Sequence, residues 1–361
     1  MTADPSQVVA QAPPPAAEAV LPAPYQTVLK PYGHALVGLA HQRREIVCLS
    51  GDLTRQCEID LFEQEFPERF IHAGMAEANM IGVAGALARS GLMPFVHTFG
   101  VFATRRPLDQ IINAVAYPRL PVRIVGFMPG ISSPGGPSHQ AIEDVALMRA
   151  LPGMTVVDVA DATETAQAVA AIADLPGPVY LRLKRGEIPV IFPPEHRLSL
   201  RSAQLLADAP GIAPGEPADV ALLASGMMVA PALAAAAVLR ASGTGVRVLN
   251  VPVIKPLDTA TVLAAAEAAR VVVTAENHTI IGGLGSAVAE ALAEAGLGRP
   301  LRRVGLADTF AEGALTAPYL FAKYGLTTQH LVDAAWAALG RPGPTPRAPG
   351  AAAQPGEYSP V

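Results

Sequence analysis

The clearest structural pattern in this chain lies in the stretch Phe70-Ile-His-Ala-Gly-Met-Ala-Glu-Ala-Asn-Met-Ile-Gly-Val-Ala-Gly-Ala-Leu-Ala88. Its first residues are typical of a short strand, and Gly74 allows the chain to turn. Apolar residues then recur at helical spacing over Ala76–Arg89, with small residues between them that let other backbones come close. Glu77 is the one acidic residue of the run. We therefore predict Glu77 in the first turn of a closely packed helix.

Glu77 has two interpretations at this position. The helix dipole favours a carboxylate in a first turn, whereas apolar surroundings disfavour the charged form and would raise its pKa. A buried carboxyl with one hydrogen-bond partner is typical of catalytic sites. A solvent-facing acid at the start of a helix fits the same spacing, so spacing alone leaves both interpretations open.

The rest of the chain alternates short apolar runs with helical patterns, and 51% of its 361 residues are hydrophobic. Abundant Ala, Gly and Val suit buried parallel strands covered by helices. The sequence therefore predicts an α/β fold with mostly parallel sheets and helices on both faces. The predicted strands are Glu45–Leu49, Arg69–His72, Met93–His97, Val122–Phe127, Thr155–Val159, Val179–Leu183, Val220–Ala224, Val246–Val251, Val271–Thr274 and Leu301–Gly305. The predicted helices are Ala35–Gln42, Ala76–Arg89, Arg106–Tyr117, Ile142–Arg149, Glu164–Ala173, Ala230–Arg240, Thr259–Ala269, Gly285–Ala295 and Thr328–Leu339.

The length predicts two domains, each large enough for its own core. Pro/Ala-rich tails at residues 1–24 and 341–361 cannot form a core and are expected to be disordered. A Pro-rich segment, residues 191–217, is predicted to link a first domain, residues 25–190, to a second, residues 218–340.

Charge and cysteine content argue against several classes of protein. The net charge is −5 with no evident basic face, so nucleic acid is not an expected partner. The chain does not begin with a signal-peptide pattern, and the uncharged run Val220–Leu239 is interpreted as a strand and a helix rather than a membrane span. Cys48 and Cys57 have neither disulfide nor metal-site spacing. We expect a reduced, cytoplasmic protein with no metal site of its own.

Candidate site residues follow three of the predicted strands. Ser50 and Asp52 follow one strand end, where open α/β sheets bind ligands, although a turn and a helix cap explain them equally well. Phe99 and Phe102 are three residues apart, so they are expected on one helical face, either in the core or stacked on a flat ring. Arg185, one of two adjacent cations, could bind an anion or simply be solvated.

Two glycine-containing segments precede predicted helices. Ile131-Ser-Ser-Pro-Gly-Gly-Pro-Ser-His-Gln140 presents His139, which could exchange protons near neutral pH or could be a capping or surface histidine. Gly282-Gly-Leu-Gly285 lacks the features of a phosphate loop, so we favour a tight turn into a helix.

Together these stretches resemble the C-terminal half of transketolase, a thiamine-diphosphate enzyme, from about Gln26 to Leu339. The resemblance lies in motifs that occur in the family's order. They are Gly51-Asp-Leu53, Gly74-Met-Ala-Glu77, Thr98-Phe-Gly-Val-Phe102, Asp109-Gln-Ile111, Gly136-Pro-Ser-His-Gln140, Lys255-Pro-Leu-Asp258, Glu276-Asn-His278 and Gly282-Gly-Leu-Gly285. The resemblance implies a pyrimidine-binding domain followed by a smaller transketolase C-terminal α/β domain.

The resemblance also implies roles at the cofactor. Glu77 would hydrogen-bond N1′ of the aminopyrimidine and drive the ring to the imino form that deprotonates the thiazolium. Phe99 and Phe102 would pack around the pyrimidine.

For the substrate, the resemblance implies that His139 lies beside the sugar hydroxyls or carbonyl, and that Ser50 and Arg185 bind the sugar-phosphate end. Three positions differ from the family's substrate-binding residues, so the family's donor-sugar site is only partly present. We therefore expect an unusual donor or acceptor. The family's arginine, histidine and aspartate would fall near Leu29, near Phe127 and at Gly135.

In this superfamily the diphosphate and Mg²⁺ site is usually marked by a Gly-Asp-Gly motif. That motif does not occur here, since Gly51-Asp52 is followed by Leu53. The chain is also about half the length of a full family member. The resemblance therefore implies the C-terminal subunit of a split transketolase, active only with an N-terminal partner that brings the diphosphate and Mg²⁺ site, in an α2β2 assembly. The reaction would move a two-carbon ketol unit from a ketose to an aldose.

Three alternatives remain open on the sequence. The β subunit of a 2-oxo-acid dehydrogenase also uses a pyrimidine-binding domain, but that enzyme would pass an acyl group to lipoamide. A reaction like that of 1-deoxyxylulose-5-phosphate synthase is another, although that family normally keeps both halves in one chain. A non-catalytic scaffold subunit is the third, and Glu77 with its two aromatic neighbours argues against it.

Overall fold

A computed structural model describes residues 26–207 and 217–341 of the chain. The strands are β1 Thr27–Leu29, β2 Ile46–Ser50, β3 Phe70–His72, β4 Met93–Phe99, β5 Arg123–Phe127, β6 Thr155–Asp158, β7 Val179–Leu183, β8 Glu187–Pro189, β9 Gln204–Ala207, β10 Ala218–Ala224, β11 Val246–Asn250, β12 Val253–Lys255, β13 Ala269–Thr279 and β14 Leu301–Leu306. The helices are α1 Pro31–Gln42, α2 Asp60–Glu65, α3 Glu77–Arg89, α4 Gly100–Thr104, α5 Leu108–Gln110, α6 Asp144–Arg149, α7 Ala162–Ala173, α8 Val229–Ala241, α9 Thr259–Glu267, α10 Leu284–Glu294, α11 Ala317–Lys323 and α12 Thr328–Ala338.

The first sheet has the strand order β12-β6-β7-β5-β4-β2-β3, and all its neighbours pair in parallel except β12 and β6. Alternate strand residues face opposite layers, as the pleat requires. Phe95 and Val125 pack with α1 and α7, whereas Val96 and Ile124 pack with α3. The predicted α/β class is confirmed, and the carboxyl ends of β2, β4 and β5 lie side by side at one sheet edge.

The second sheet has the order β14-β13-β10-β11-β9, in which only β9 is antiparallel to its neighbour. Helices α8 and α12 cover one face, and α9 and α10 cover the other. The uncharged run Val220–Leu239 falls in β10, a short turn and α8. In the part of the chain that the structure describes, no helix is long and apolar enough to cross a membrane.

The boundary between the halves is less simple than the predicted linker. Strand β9 lies inside residues 191–217 yet pairs with β11 of the second sheet, and β12, from the second half, pairs with β6 of the first. Both strands are short, so they carry too few alternating residues to be recognised in the sequence. The predicted tails, residues 1–24 and nearly all of 341–361, lie outside the described residues.

The glycine-rich turn before α10 wraps a carboxylate of the protein itself. The side chain of Glu276 accepts hydrogen bonds from the backbone N–H groups of Leu284 at 2.7 Å and Gly285 at 2.8 Å. A Cβ atom on Gly283 would collide with that carboxylate. Burial raises the pKa of Glu276 to about 7, although the two N–H donors oppose the rise. The interpretation of Gly282–Gly285 as a structural turn is therefore confirmed.

Candidate active site

Glu77 begins α3 and is only 3% exposed. The prediction that it lies in the first turn of a packed helix is confirmed, and the solvent-facing alternative is wrong. The buried carboxylate has a charged partner there, because Nη1 of Arg106 donates a hydrogen bond to Oε1 of Glu77 at 2.7 Å. The arginine side chain is 50% exposed, so a half-exposed cation covers a buried carboxylate.

Phe99 and Phe102 lie on different elements but contact each other. Phe99 ends β4 and Phe102 lies in α4, so the expected common helical face is wrong. Their rings nevertheless stack, with centroids 6.1 Å apart and planes 20° apart. The guanidinium carbon of Arg106 lies 4.1 Å from the centroid of the Phe102 ring. Phe102 and Glu77 are therefore bridged by one arginine.

His139 approaches the same aromatic pair from the loop that joins β5 to α6. Its ring meets Phe102 edge to face, with centroids 5.4 Å apart. Its Nδ1 lies 2.9 Å from the Ser138 hydroxyl. The contacts thus run from Glu77 through Arg106 and Phe102 to His139.

We call Glu77, Phe99, Phe102, Arg106 and His139 the site cluster. Contacts among them join a carboxylate, two stacked aromatic rings, a cation and an imidazole. Such a group can bind a flat heterocycle and exchange protons with it and with a neighbouring substrate.

Among the described residues, Ser50 and Arg185 form no hydrogen bond, ion pair or ring contact with the site cluster. Ser50 ends β2 and is fully buried, with its hydroxyl 2.9 Å from that of Thr54. Arg185 follows β7 and is half-buried near Cys57. Burial raises the pKa of the Cys57 thiol, Glu58 adds to the rise, and Arg185 is close enough to oppose it.

A buried histidine lies behind the site on β4. Nδ1 of His97 is 3.1 Å from the Leu49 carbonyl oxygen, which can only accept, so Nδ1 carries the proton. The Tyr32 hydroxyl then donates to Nε2 at 2.6 Å. Burial lowers the pKa of His97 to about 3, which keeps the ring neutral.

Sequence reasoning missed Arg105, Arg106 and His97. The two arginines follow the quoted Thr98–Phe102 motif after Ala103 and Thr104, and that closeness in sequence was the available signal. Across residues 26–207 and 217–341, no group of three His, Cys, Asp or Glu side chains is arranged to hold a metal ion.

Comparison with known proteins gives the family. Models of the transketolase pyrimidine binding domain and the transketolase C-terminal domain match residues 26–190 and 214–331. The chain is 45% identical to a protein of Sinorhizobium fredii described as an uncharacterised transketolase family protein, over 84% of this chain and 86% of that one. It is also 45% identical to a 6-deoxy-6-sulfo-D-fructose transketolase subunit of a Clostridium species, over 84% of this chain and 92% of that one.

Two solved structures share the fold. A split gene transketolase, described as an inactive beta4 tetramer, has a TM-score of 0.75 at 41% identity and is matched over 86% of this chain and 97% of that chain. Campylobacter jejuni transketolase, at 22% identity, has a TM-score of 0.70 over 85% of this chain and 46% of its own. The chain therefore belongs to the transketolase family of thiamine-diphosphate enzymes.

Proposed function

We propose that this chain is the C-terminal subunit of a split transketolase, which transfers a two-carbon ketol unit from a ketose to an aldose when joined to an N-terminal partner. The observation that carries the proposal is the Glu77 carboxylate. It is 3% exposed at the start of α3 and is linked by contacts to stacked aromatic rings and to His139.

The site cluster fits the pyrimidine end of thiamine diphosphate. A buried carboxyl can share a proton with a ring nitrogen, and flat aromatic rings suit a flat heterocycle. Glu77 would therefore hold the ring nitrogen, with Phe99 and Phe102 packed around the ring. When bound, the cofactor supplies the nucleophilic carbon and the electron sink for cleaving a bond beside a carbonyl.

His139 is the group of the site cluster best suited to the sugar. It is half-buried on the edge of Phe102, where an imidazole can orient hydroxyl groups and hold or move a proton near neutral pH. Ser50 and Arg185 would take the sugar-phosphate end, with the Ser50 hydroxyl already bonded to that of Thr54 and keeping capacity for one more partner. Leu29 is 60% exposed where the family has an arginine, so recognition of the donor should differ from the family pattern.

A partner subunit would complete the site. Relatives that match this chain over 92% and 97% of their own lengths are described as a transketolase subunit and as a split gene transketolase, the latter an inactive tetramer of one chain type. We propose that the partner brings the diphosphate and Mg²⁺ site in an α2β2 assembly. Cys48 and Cys57 are free buried thiols, which suits the cytoplasm. These relatives do not favour the 2-oxo-acid dehydrogenase alternative.

The test is reconstitution with the candidate N-terminal subunit, thiamine diphosphate and Mg²⁺, followed by a screen of ketose donors with aldehyde acceptors. We expect turnover from the pair and negligible turnover from this chain alone. Glu77→Gln should lose most turnover while the pair still assembles, because an amide cannot share a proton as a carboxyl does.

The matched control is Glu290→Gln, which changes an acid on α10 whose side chain is 56% exposed. The control should keep wild-type turnover. Full activity of the Glu77→Gln pair would refute the role of Glu77, and strong turnover by the single chain would refute the split site.

A further inference from the structure

We propose that Arg105 is a positioning residue, which fixes the backbone on both sides of His139 and so sets where the imidazole lies in the site cluster. We call residues 131–140 the histidine loop. The part of this inference that concerns substrate rests on the proposed function, whereas the part that concerns the loop does not.

The contacts of Arg105 fall on both sides of His139. Nη1 donates to the carbonyl oxygen of Pro137 at 2.8 Å, and Nη2 donates to that of Gln140 at 2.9 Å. Nη2 also donates to Oε2 of Glu143 at 2.7 Å, and Nε donates to Oε1 of the same carboxylate. These bonds use four of the five N–H groups of a guanidinium, and its rigid plane fixes their directions.

The opposite side of the histidine loop is held by the second domain. The Gln140 amide donates to the carbonyl oxygens of Ser133 at 3.0 Å and Glu312 at 3.1 Å. The backbone N–H of Ala314 donates to the carbonyl oxygen of Pro134 at 2.9 Å. Arg105 is therefore the clamp from the first domain on a loop that the second domain holds from the other side.

One short segment reaches both ends of the site cluster. Phe102 contacts the ring of His139, Arg105 binds the backbone beside it, and Arg106 binds Glu77. Among the described residues, Arg105 forms no hydrogen bond, ion pair or ring contact with Glu77, Phe99 or Phe102. Its removal should therefore displace His139 while leaving the proposed pyrimidine site intact. The expected signature is a defect in sugar binding without a defect in cofactor binding.

The first experiment uses the reconstituted pair with Arg105→Met and Arg105→Lys. We expect Arg105→Met to raise KM for the ketose roughly tenfold, because misplacing a substrate-contacting group by a fraction of an ångström is costly. Its Kd for thiamine diphosphate should stay at the wild-type value. The KM of Arg105→Lys should lie between those of the wild type and Arg105→Met. An ammonium group keeps the charge but lacks the planar set of N–H donors that a guanidinium presents. The control is Arg149→Met, which removes another arginine bound by two nitrogens to one carboxylate, that of Glu290 on α10.

The second experiment needs no activity. Hydrogen–deuterium exchange on the chain alone should show faster exchange across the histidine loop in Arg105→Met, including the amide of His139 that bonds to the Gly136 carbonyl at 2.9 Å. Unchanged exchange there would overturn the proposal. So would an active Arg105→Met pair with unchanged KM, or one with weakened cofactor binding. If the wild-type pair transfers no ketol unit, the proposed function is wrong. The hydrogen–deuterium exchange measurement still tests whether Arg105 positions the histidine loop.

Discussion

Nη1 of Arg106 donates a hydrogen bond to Glu77 at 2.7 Å, and no other residue that the structure describes hydrogen-bonds to that buried carboxylate. The guanidinium also lies over Phe102, on the ring that we propose packs around the cofactor. A flat cation therefore occupies the neighbourhood where a flat heterocycle is expected. The pair therefore joins the buried carboxylate to the aromatic rings of the site cluster.

The first prediction is a measurable coupling between these two side chains. In a double-mutant cycle of Glu77→Gln and Arg106→Met on the chain alone, urea unfolding should give a coupling free energy of about 1–2 kcal/mol, because a charge-assisted bond to a buried acid is lost in both single variants. The exposed pair Lys323 and Glu312 should show a smaller coupling. Equal coupling in the two cycles would contradict a special role for Arg106.

The second prediction concerns Arg182, whose hydrogen bonds reach residues in both halves of the chain. It donates two hydrogen bonds to Asp144 at 2.8 and 3.1 Å, one to Asp158 at 2.9 Å and one to the carbonyl oxygen of Asn277 at 3.1 Å. All three charged side chains are almost fully buried. Arg182→Met would leave two buried carboxylates without their cation, so we expect a loss of about 3–5 kcal/mol in the free energy of unfolding.

The matched control for Arg182 is Arg270→Met, which breaks an ion pair with Asp219 whose arginine is 59% exposed. Exposed pairs contribute little, so this variant should lose less than about 1 kcal/mol. Both variants are compared by denaturant unfolding under the same conditions. Similar losses in the two would contradict the larger contribution expected of the buried ion pairs.

The sequence was sufficient for the parts of the fold that carry a repeating apolar pattern. Strands such as β4, β5 and β7 are buried along their whole length, so their runs of apolar residues are long enough to recognise. The polar end of β13, which holds Glu276, does not read as a strand. Its polar groups are satisfied instead by the turn that follows it, where Leu284 and Gly285 donate to Glu276, and by Ala146 far earlier in the chain, which donates to His278.

The site was predictable only where a motif carried it. The ordered motifs led to Glu77, Phe99, Phe102 and His139 as candidate site residues, and in the structure contacts link all four through Arg106. The contacts of Arg105 that support its proposed role were not predictable, because these acceptors are backbone carbonyl oxygens more than thirty residues away in a loop. Every residue carries a backbone carbonyl group, so the sequence cannot indicate which of them accepts such a bond.

The third prediction is a pH dependence that belongs to His97. Burial lowers its pKa to about 3 in the folded chain, against 6.5 for a free histidine. Between these two pKa values the unfolded chain binds a proton at His97 and the folded chain does not. The stabilisation is therefore fully present above about pH 6.5 and decreases as the pH falls towards 3. The expected slope from this one residue is about 1.4 kcal/mol per pH unit in that window.

The measurement is the free energy of unfolding of the wild type minus that of His97→Asn, followed from pH 8 to pH 4. Taking the difference removes the effect of His278, whose pKa burial also lowers, to about 4. The difference should be flat above pH 6.5 and should fall below it. A second check is the NMR titration of the His97 ring, which should stay neutral to pH 4. A pH-independent difference, or a ring that titrates near pH 6, would disprove the assigned environment.

The fourth prediction compares two glycines of α3, the helix that begins with Glu77. A Cβ atom on Gly85 would lie 2.5 Å from the carbonyl oxygen of Ala114, whereas one on Gly82 would meet nothing within 4 Å. Ala114 belongs to a π-helical turn, Ile111–Ala116, where the sequence predicted an ordinary helix.

Gly85→Ala must push this turn away from α3, so we expect the free energy of unfolding to fall by about 1–3 kcal/mol. Gly82→Ala should gain about 0.5–1 kcal/mol, because alanine is the better helix former. Opposite signs in unfolding of the chain alone would show that α3 needs glycine for close packing at one position only, and a gain from Gly85→Ala would contradict the packing of the π-helical turn.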